Sequence, residues 1–586
     1  MDYTSSANGQ PPTANEMTIR WSYLKRVLAG AIFGLYIAHL LYFLNPQVDI
    51  TPGRLATVTI VYGLICGLLF GTILWGLRAL RVRLFGKTES AHGFGFVVLA
   101  AFVAAALYWM HLEVFRIYLP IGAVRVLSKA TNLITLTAFV LLLLWVAERN
   151  AKRVTSRAIF IAGVLIIAVS SFGLYQRRDS YRTVKQGVVV ANIGTIAGQR
   201  PVIVVAIRNL PYDWILTLTG EGSLRFFEQA RARGYFTRLE PFPTMSPKAL
   251  WASVATGKKP FRHGVTGKFS YRTPLNGRDA AERFLIVPGG IGFRAWGLIP
   301  PVVRVSSHLP SGDALPFWTL FERLGLHAAV FGWPWSEPGG ATQMVTDRFF
   351  ERSAKKQNEV MPPGFAGQAE ELEQRPSEAA TQRFNGTGNA RQRIVDGLAD
   401  DWTTVALARA AAESRAFPLV VAALGGYEDA QRAIHIFSNE LPPRSTVKGE
   451  VLRAYAEQLD AMLADLAGRF PDHTLVVVSP SGPVPPPLPA TPYAVLLDLV
   501  LPEDPGADDG FVLIAGPGVV HAEKPRPAQA VDVVPTLLYA AGLPVGRDMD
   551  GVVLTAAFSE ETLRANALKV VQTYEAKELV VRRAGT

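Results

Sequence analysis

Residues 243–267 read PTMSPKALWASVATGKKPFRHGVTG, and this stretch organises the interpretation of the whole chain. A Ser-Pro turn leads into a run of small residues, which Thr-Gly-Lys and then His-Gly bring to an end. A hydroxyl at a helix N-terminus lies among backbone N–H groups that have no partner in the helix, and these groups favour an anion. The stretch is therefore typical of a loop that presents a nucleophile to a phosphate group. Such a nucleophile also needs metal ligands from elsewhere in the chain.

Composition indicates a membrane protein with a large extramembrane part. The chain has 586 residues, of which 49% are hydrophobic, and a formal net charge of +11. Its mean hydropathy of +0.21 is high for a wholly soluble protein. The single cysteine, Cys66, excludes an intramolecular disulfide and a cysteine-rich metal site. Because the basic residues border apolar runs without an interleaved aromatic motif, we predict that the protein does not bind nucleic acid.

The N-terminal third predicts a disordered tail over residues 1–19 and a transmembrane domain over residues 20–176. Five apolar stretches approach the ~20 residues that a helix needs to cross the hydrocarbon core. They cover residues 27–44, 57–77, 94–115, 132–147 and 158–175. Gly63, Gly67 and Gly71 recur at a spacing that permits a neighbouring helix, such as one from another membrane subunit, to approach closely.

Lys and Arg in the short connections set the predicted orientation, because cytoplasmic loops carry an excess of these residues. The excess lies on the side of the N-terminus. The N-terminus is therefore predicted to be cytoplasmic. After an odd number of spans, everything beyond residue 176 is predicted to be extracytoplasmic, and periplasmic if the membrane is a bacterial inner membrane.

Beyond a linker at 177–199, residues 200–586 predict an α/β domain. Short, mostly β-branched runs alternate with helical patterns, which indicates a mostly parallel sheet with helices on both faces. The predicted strands cover 202–207, 328–332, 418–424, 474–479 and 510–515, and the clearest helices cover 223–234, 317–326 and 449–470. Residues 353–398 are rich in Gln, Glu, Gly and Pro and predict a surface insertion. A last helix is predicted from Glu560 to Glu578.

The order of these elements resembles the type I phosphodiesterase/nucleotide pyrophosphatase branch of the alkaline phosphatase superfamily, over about residues 200–555. The resemblance rests on the stretch already quoted and on four further segments. These are FWTLFERLG at 317–325, GWPWSEP at 332–338, GFVLIAGPG at 510–518 and VDVVPTLLYAAGLP at 531–544. It implies an alkaline-phosphatase-like fold and, in active members, two divalent metals, usually zinc, that help to ionise a Thr or Ser nucleophile.

Most of the metal ligands that this resemblance implies are replaced. The residues that stand at the family's Asp and His positions are Arg208, Ala433, Pro480, Ser481 and Gly506. Asp429 alone keeps a ligand-like position, and a single carboxylate does not hold two metals. A metal shared by Glu428, Asp429 and His435 is a further possibility, but these residues lie on one short segment. We therefore expect no metal and no other cofactor.

The candidate nucleophile and its surroundings leave two interpretations open. An ungapped count places the family's nucleophile at Pro247, so Ser246 is one residue away, and Thr244 is a second hydroxyl nearby. Arg208 either binds a phosphate or sulfate ester together with Ser246 without a metal, or replaces the charge of the metal and keeps the pocket neutral. His263 is predicted to be structural.

Two functions follow from these alternatives. The first is a membrane-anchored, catalytically inactive phosphodiesterase-like protein that serves as a binding, scaffolding or complex-stabilising subunit, because a fold is not an activity. The second is an active hydrolase or phospho-head-group transferase on extracytoplasmic phosphoesters. The second would need Ser246 or Thr244 and two zinc or manganese ions. The replaced ligands favour the first function.

Overall fold

The structure is a computed structural model, and it describes most of the chain beyond residue 58. The described ranges are 59–85, 93–151 (without 115 and 120), 190–196, 200–272 (without 243, 244, 266 and 268), 303–306, 314–483 (without 439) and 509–583, with scattered positions in 23–31, 51–56 and 161–176. The chain divides into two compact units. The first comprises Met1–Val184 and Tyr271–Arg304, and the second Lys185–Ser270 and Val305–Thr586.

The first unit is helical where it is described. Its helices are α1 (Cys66–Phe85, preceded by a π-helical stretch Thr59–Ile65), α2 (Gly93–Val114) and α3 (Ile121–Ala151). Among the described residues one helix, Ile121–Ala147, is long and apolar enough to cross a membrane, and Gly63–Leu77 and Ala101–Val114 are shorter apolar helices.

The part of the chain that the structure describes therefore does not support a bundle of five membrane-spanning helices. The predicted span at 132–147 is part of α3. This helix begins eleven residues earlier, at Ile121, and includes Arg125 and Lys129. The predicted spans at 27–44 and 158–175 lie largely outside the described residues. Their number and orientation stay predictions.

The glycine stripe of α1 packs inside the chain. A Cβ added to Gly71 would lie 2.6 Å from Cα of Val27, and one added to Gly67 would lie 3.0 Å from Cα of Ala31. Close backbone approach of this kind is what small residues permit at helix interfaces. Gly67 and Gly71 therefore lie close to Ala31 and Val27 of the same chain, as the predicted close helix contact requires.

The second unit is an α/β domain. Its helices are α4 (Tyr212–Gly220), α5 (Arg225–Arg233), α6 (Pro247–Thr256), α7 (Pro260–His263), α8 (Phe317–Arg323), α9 (Ala366–Glu371), α10 (Glu378–Gln382), α11 (Arg391–Glu413), α12 (Gly426–Ala433), α13 (Val447–Arg469), α14 (Val533–Ala540) and α15 (Glu560–Ala565). The strands of the chain are β1 (Val190–Ile196), β2 (Val202–Ile207), β3 (Tyr235–Glu240), β4 (Phe269–Arg272), β5 (Val303–Ser306), β6 (Ala328–Trp333), β7 (Gln343–Thr346), β8 (Val360–Met361), β9 (Leu419–Leu424), β10 (Thr474–Ser481), β11 (Asp509–Ala515), β12 (Ala528–Gln529), β13 (Val545–Gly546), β14 (Val570–Val571) and β15 (Glu578–Arg583).

Nine strands form the main sheet in the order β12-β3-β11-β10-β2-β9-β6-β7-β8. β10, β2, β9, β6 and β7 run parallel, whereas β11 is antiparallel to both of its neighbours and β8 is antiparallel to β7. Every residue of β2, β9, β6 and β10 is buried, so both faces of the sheet are covered. The predicted mostly parallel sheet and its central strands are confirmed.

Aromatic packing joins the sheet to the helices near residues 243–267. The Trp333 ring of β6 lies 5.3 Å from the Trp251 ring of α6 and 5.2 Å from the Trp318 ring of α8, both centroid to centroid and at steep angles. All three side chains are buried. Such edge-to-face pairs add about 0.5–1.5 kcal/mol each beyond the burial of their area. The Trp-rich segments that carried the family resemblance therefore build one core.

Tertiary contacts decide the local structure at three places where the sequence made a prediction. Helix α5 begins at Arg225, two residues after the predicted start, because the Asp460 carboxylate from α13 accepts the N–H groups of Phe226 (2.9 Å) and Phe227 (3.0 Å). The predicted helix at 560–578 ends at Ala565, since the following residues pair in β14 and β15. The segment 353–398, predicted as a surface insertion, packs Phe365 and Phe384 into the main core.

Candidate functional site

The loops that carry the predicted site residues meet at one edge of the main sheet. β2, β9, β6 and β10 are parallel, and β3 has the same direction because β11 is antiparallel to both β3 and β10. The segments that follow these strands therefore leave the sheet at the same edge, which is where ligands bind in open α/β sheets. Arg208, Glu428 and Ser246 all follow such strand ends.

Arg208 directly follows β2, and its guanidinium occupies space beside the loop after β9. Its Nη1 lies 3.5 Å from Oε2 of Glu428, with side-chain exposures of 22% and 10%. A Cβ added to Gly425 would lie 1.7 Å from Nη2 of Arg208. The backbone N–H of Arg208 donates to the carbonyl of Leu424 at 3.0 Å. The loop after β9 thus makes room for the guanidinium by having a glycine next to it.

Four carboxylates contribute to the electrostatic environment of the Arg208 charge, and Glu428 is in direct contact with it. Burial alone would lower the pKa of Arg208, but attraction to Glu428, Asp429, Asp347 and Asp401 outweighs it and raises the pKa above its ordinary value. We call these four residues the Arg208 carboxylates. Glu428 also binds Arg432 one turn further along α12. The arginine therefore acts as the counter-charge of an acidic group of side chains.

Asp401 of α11 is the most deeply buried of the Arg208 carboxylates. Its Oδ1 accepts the N–H groups of Gly425 (2.9 Å) and Gly426 (3.1 Å), and its Oδ2 accepts the Tyr455 hydroxyl at 2.9 Å. Burial raises the pKa of Asp401 to about 7, against the opposing effects of these hydrogen bonds and of Arg208. Asp401 therefore fixes the loop that receives the guanidinium.

A second acidic side chain reaches the site from β7. Oδ2 of Asp347 accepts the N–H of Trp335 at 3.1 Å, and burial raises the pKa of Asp347. Trp335 has a φ of 55°, in the left-handed region that side-chain-bearing residues seldom adopt. The ammonium of Lys248 lies 5.8 Å from the centroid of the Trp335 ring. These contacts bring α6, the loop after β6 and the end of β7 together.

Ser246 is the N-cap of α6. Its Oγ accepts the N–H of Ala249 at 3.2 Å, and Pro247 follows as the first helical residue. This is the arrangement that stabilises helix starts. Ser246 is only 1% exposed. The hydroxyl singled out by the sequence is therefore buried in a cap, and Thr244 lies outside the described residues.

His263 is engaged within the same region. Its Nδ1 accepts the N–H of Val265 at 3.1 Å, so the proton is on Nε2, which lies 3.0 Å from Oγ of Ser253. The ring is fully buried. Gly257 and Gly264, which end α6 and α7, have φ values of 67° and 78° and supply the turns that the glycines predicted.

The other replaced positions have no ligand character where the structure describes them. Ala433 ends α12, and His435 follows it as an exposed residue with a φ of 56°. Ser479 and Ser481 are buried in β10, where Oγ of Ser479 accepts the N–H of Leu210 at 3.1 Å and donates to the carbonyl of Ser481. Gly506 lies outside the described residues.

The residues present do not fit a pair of divalent metals. A guanidinium fills the position of the first expected carboxylate, and Asp429 is exposed on the first turn of α12. Across the described part of the chain, no group of three or more His, Cys, Asp or Glu side chains is arranged to hold a metal ion. A permanent cation beside the remaining carboxylates also repels a metal.

The fold and the arrangement of its strand ends define an alkaline-phosphatase-like α/β domain. The sequence profile of the family described as type I phosphodiesterase / nucleotide pyrophosphatase matches residues 203–531, more than half of the chain. The protein belongs to this family. A comparison with curated proteins found no match.

Three solved structures are similar to part of this chain. The chain is similar to alkaline phosphatase PafA at 10% identity, covering 62% of this chain and 100% of that chain with a TM-score of 0.38. It is similar to a 2-O GAG sulfatase at 13% identity, with coverages of 62% and 74% and a TM-score of 0.36. A protein in the alkaline phosphatase superfamily from Vibrio parahaemolyticus matches at 13% identity, with coverages of 64% and 74% and a TM-score of 0.32.

Sequence reasoning found Arg208 but missed the residues that hold it. Asp401 lies within a long helix and Asp347 after a short strand, and neither is part of a family motif that the sequence displays. Gly425-Gly426 after a buried strand is the one local signal, because adjacent glycines often mark a close approach by another group. Nothing in the sequence specifies that the approaching group is Arg208.

The fit between Gly425 and Arg208 can be tested by a double-mutant cycle. Gly425→Ala should lower the stability of the native chain by about 1–3 kcal/mol, because the new methyl group overlaps the guanidinium. The backbone at Gly425 (φ −106°, ψ −19°) accepts alanine without strain. In an Arg208→Ala background the same change should therefore be neutral or slightly stabilising. Thermal unfolding of the four purified proteins measures the coupling. An equal loss in both backgrounds would show that Arg208 does not occupy this space.

Asp401 makes the stability of the domain depend on pH. Since its pKa in the folded state, about 7, exceeds the ordinary carboxyl value, its contribution is fully present below about pH 4 and is lost as the pH rises through about 7. Asp401→Asn keeps an acceptor for the Gly425 and Gly426 amides but does not titrate. The midpoint temperature of the variant minus that of the native chain should therefore increase from pH 6 to pH 8. A difference that stays constant over this range would contradict the assignment.

Proposed function

We propose that this protein is a membrane-anchored member of the type I phosphodiesterase/nucleotide pyrophosphatase family that has no phosphodiesterase activity. In this proposal its α/β domain acts as a binding or scaffolding module, as a subunit of a membrane complex. The observation that carries the proposal is the guanidinium of Arg208, which occupies the space beside Gly425 and is neutralised by the Arg208 carboxylates.

The state of the candidate nucleophile supports the same proposal. A hydroxyl that attacks a phosphoester must be exposed to its substrate and must have a base or a metal to ionise it. Ser246 is 1% exposed, and its Oγ accepts a backbone N–H. Neither a phosphate nor a sulfate ester would reach this hydroxyl without rearrangement of the start of α6. The alternative of metal-free anion binding by Arg208 and Ser246 is also disfavoured, because carboxylates already surround Arg208.

Exposed apolar side chains in the first unit support the membrane anchor. Many large hydrophobic residues of α1, α2 and α3 are between 39% and 70% exposed, and exposed apolar surface on this scale is unusual in a soluble protein. They include Leu68, Leu69, Ile73, Leu99, Val103, Leu136, Phe139 and Leu143. We propose that these faces contact lipid or the helices of other subunits. The N-terminus is cytoplasmic and the α/β domain extracytoplasmic in this proposal.

Metal content and hydrolysis test the proposal together. The full chain, purified in detergent, incubated with zinc or manganese and freed of unbound metal, should retain well below one ion per chain. It should hydrolyse bis(p-nitrophenyl) phosphate no faster than its Ser246→Ala variant. Retention of about two ions per chain, as a paired-metal site requires, together with hydrolysis that Ser246→Ala abolishes, would establish the active alternative instead.

A further inference from the structure

The C-terminal segment of the second unit contains two strands that pair with earlier strands of the chain. After α15, β14 pairs in parallel with β13, and β15 pairs in parallel with β1 along its whole length. Between these two strands Tyr574 and Ala576 are buried, and the Tyr574 hydroxyl donates to the carbonyl of Pro544 at 2.6 Å. We call residues 570–583 the C-terminal strap. The strap thus begins beside the core of the domain and ends on β1, the first strand of the second unit in chain order.

Lys258 fastens the strap to the segment that carries Ser246. Lys258 follows the Thr256-Gly257 end of α6, and its Nζ lies 2.6 Å from Oδ2 of Asp548 and 2.7 Å from Oε1 of Glu575. Its side chain is 6% exposed, so this is a largely buried ammonium between two carboxylates. Charge-assisted hydrogen bonds in such surroundings are strong, and removal of the cation leaves two carboxylates without their partner.

Arg323 binds the backbone of the strap at a second point. Arg323, the last residue of α8, donates from Nη1 to the carbonyl of Tyr574 at 2.6 Å and from Nη2 to the carbonyl of Ala576 at 2.5 Å. Thr573 donates its hydroxyl to the same Oδ2 of Asp548 that binds Lys258. The strap is therefore attached at several points along a short length, and a displacement of one end is resisted at the other.

We propose that the C-terminal strap couples strand β1 to helix α6 through Lys258, so that a force or a binding event acting on β1 changes the conformation of the segment that carries Ser246. The chain order makes β1 the first element of the domain after the N-terminal helical region. The coupling does not depend on whether the site hydrolyses a substrate. In this proposal, β1 and the strap transmit a force or a binding event near the start of the domain to the segment that carries Ser246.

Hydrogen exchange of the full chain in detergent tests the coupling. Ile193 is a buried residue of β1, and Ile193→Ala loosens its attachment. In the variant, the rate of amide hydrogen exchange should increase in the strap. It should also increase, by about tenfold, in residues 247–263, because the equilibrium for local opening of this segment changes. In a Lys258→Met background the same change should still increase exchange in the strap but should leave residues 247–263 unchanged. Exchange in β2 is the internal control and should stay the same in all four proteins.

Two outcomes would overturn the proposal. One is that Ile193→Ala leaves residues 247–263 unchanged in the native background, and the other is that it alters them equally in the Lys258→Met background. If exchange in β2 rises as well, the substitution has destabilised the whole domain. The milder Val580→Thr, at a position of β15 that is 37% exposed, then replaces it in the same comparison with the same two criteria.

Discussion

The constraint on which the site depends is the neutralisation of a partly buried arginine. Arg208 stands at the end of a central strand, where desolvation of its charge is costly unless carboxylates compensate for it. Glu428 supplies the nearest carboxylate, and Asp401 shapes the loop that leaves room for the guanidinium. Because the acidic side chains come from α11, from the first turn of α12 and from the segment after β7, the position of Arg208 links the end of β2 with these three elements.

In this arrangement the backbone turns of the family's site are kept, while the side chains that the family resemblance expects as metal ligands are replaced. The loops at the carboxyl edge keep their turns: Gly257 and Gly264 close α6 and α7, and Ser246 begins α6. The ionisation of a hydroxyl nucleophile, by contrast, needs a cation that can accept it as a ligand, which a guanidinium cannot do. A site of the same shape can therefore persist as a structural centre after its reactive groups are replaced. In the function proposed above, the retained fold serves binding instead of hydrolysis, in line with the general independence of fold and function.

The sequence predicted the architecture well and the site only in part. Central strands such as β2 and β10 are uninterrupted apolar runs, and the family motifs fixed their order and located Arg208. Predictions that depended on tertiary contacts failed. Asp460 caps α5 from a distant helix, so that α5 begins at Arg225 and not at residue 223, and the tail at 560–578 leaves its helical pattern to pair with β1. Asp401 and Asp347 were missed for the same reason, since only the folded chain brings them to Arg208.

An experimental map of the full-length protein in the presence of zinc tests the central claim most directly. Diffraction data collected at the zinc absorption edge would locate any bound metal and the side chains around it. We expect density for the Arg208 guanidinium between Gly425 and Glu428, with no anomalous peak among the Arg208 carboxylates. A zinc peak coordinated by Asp347, Asp401 or Glu428, with the arginine side chain displaced from that space, would contradict it.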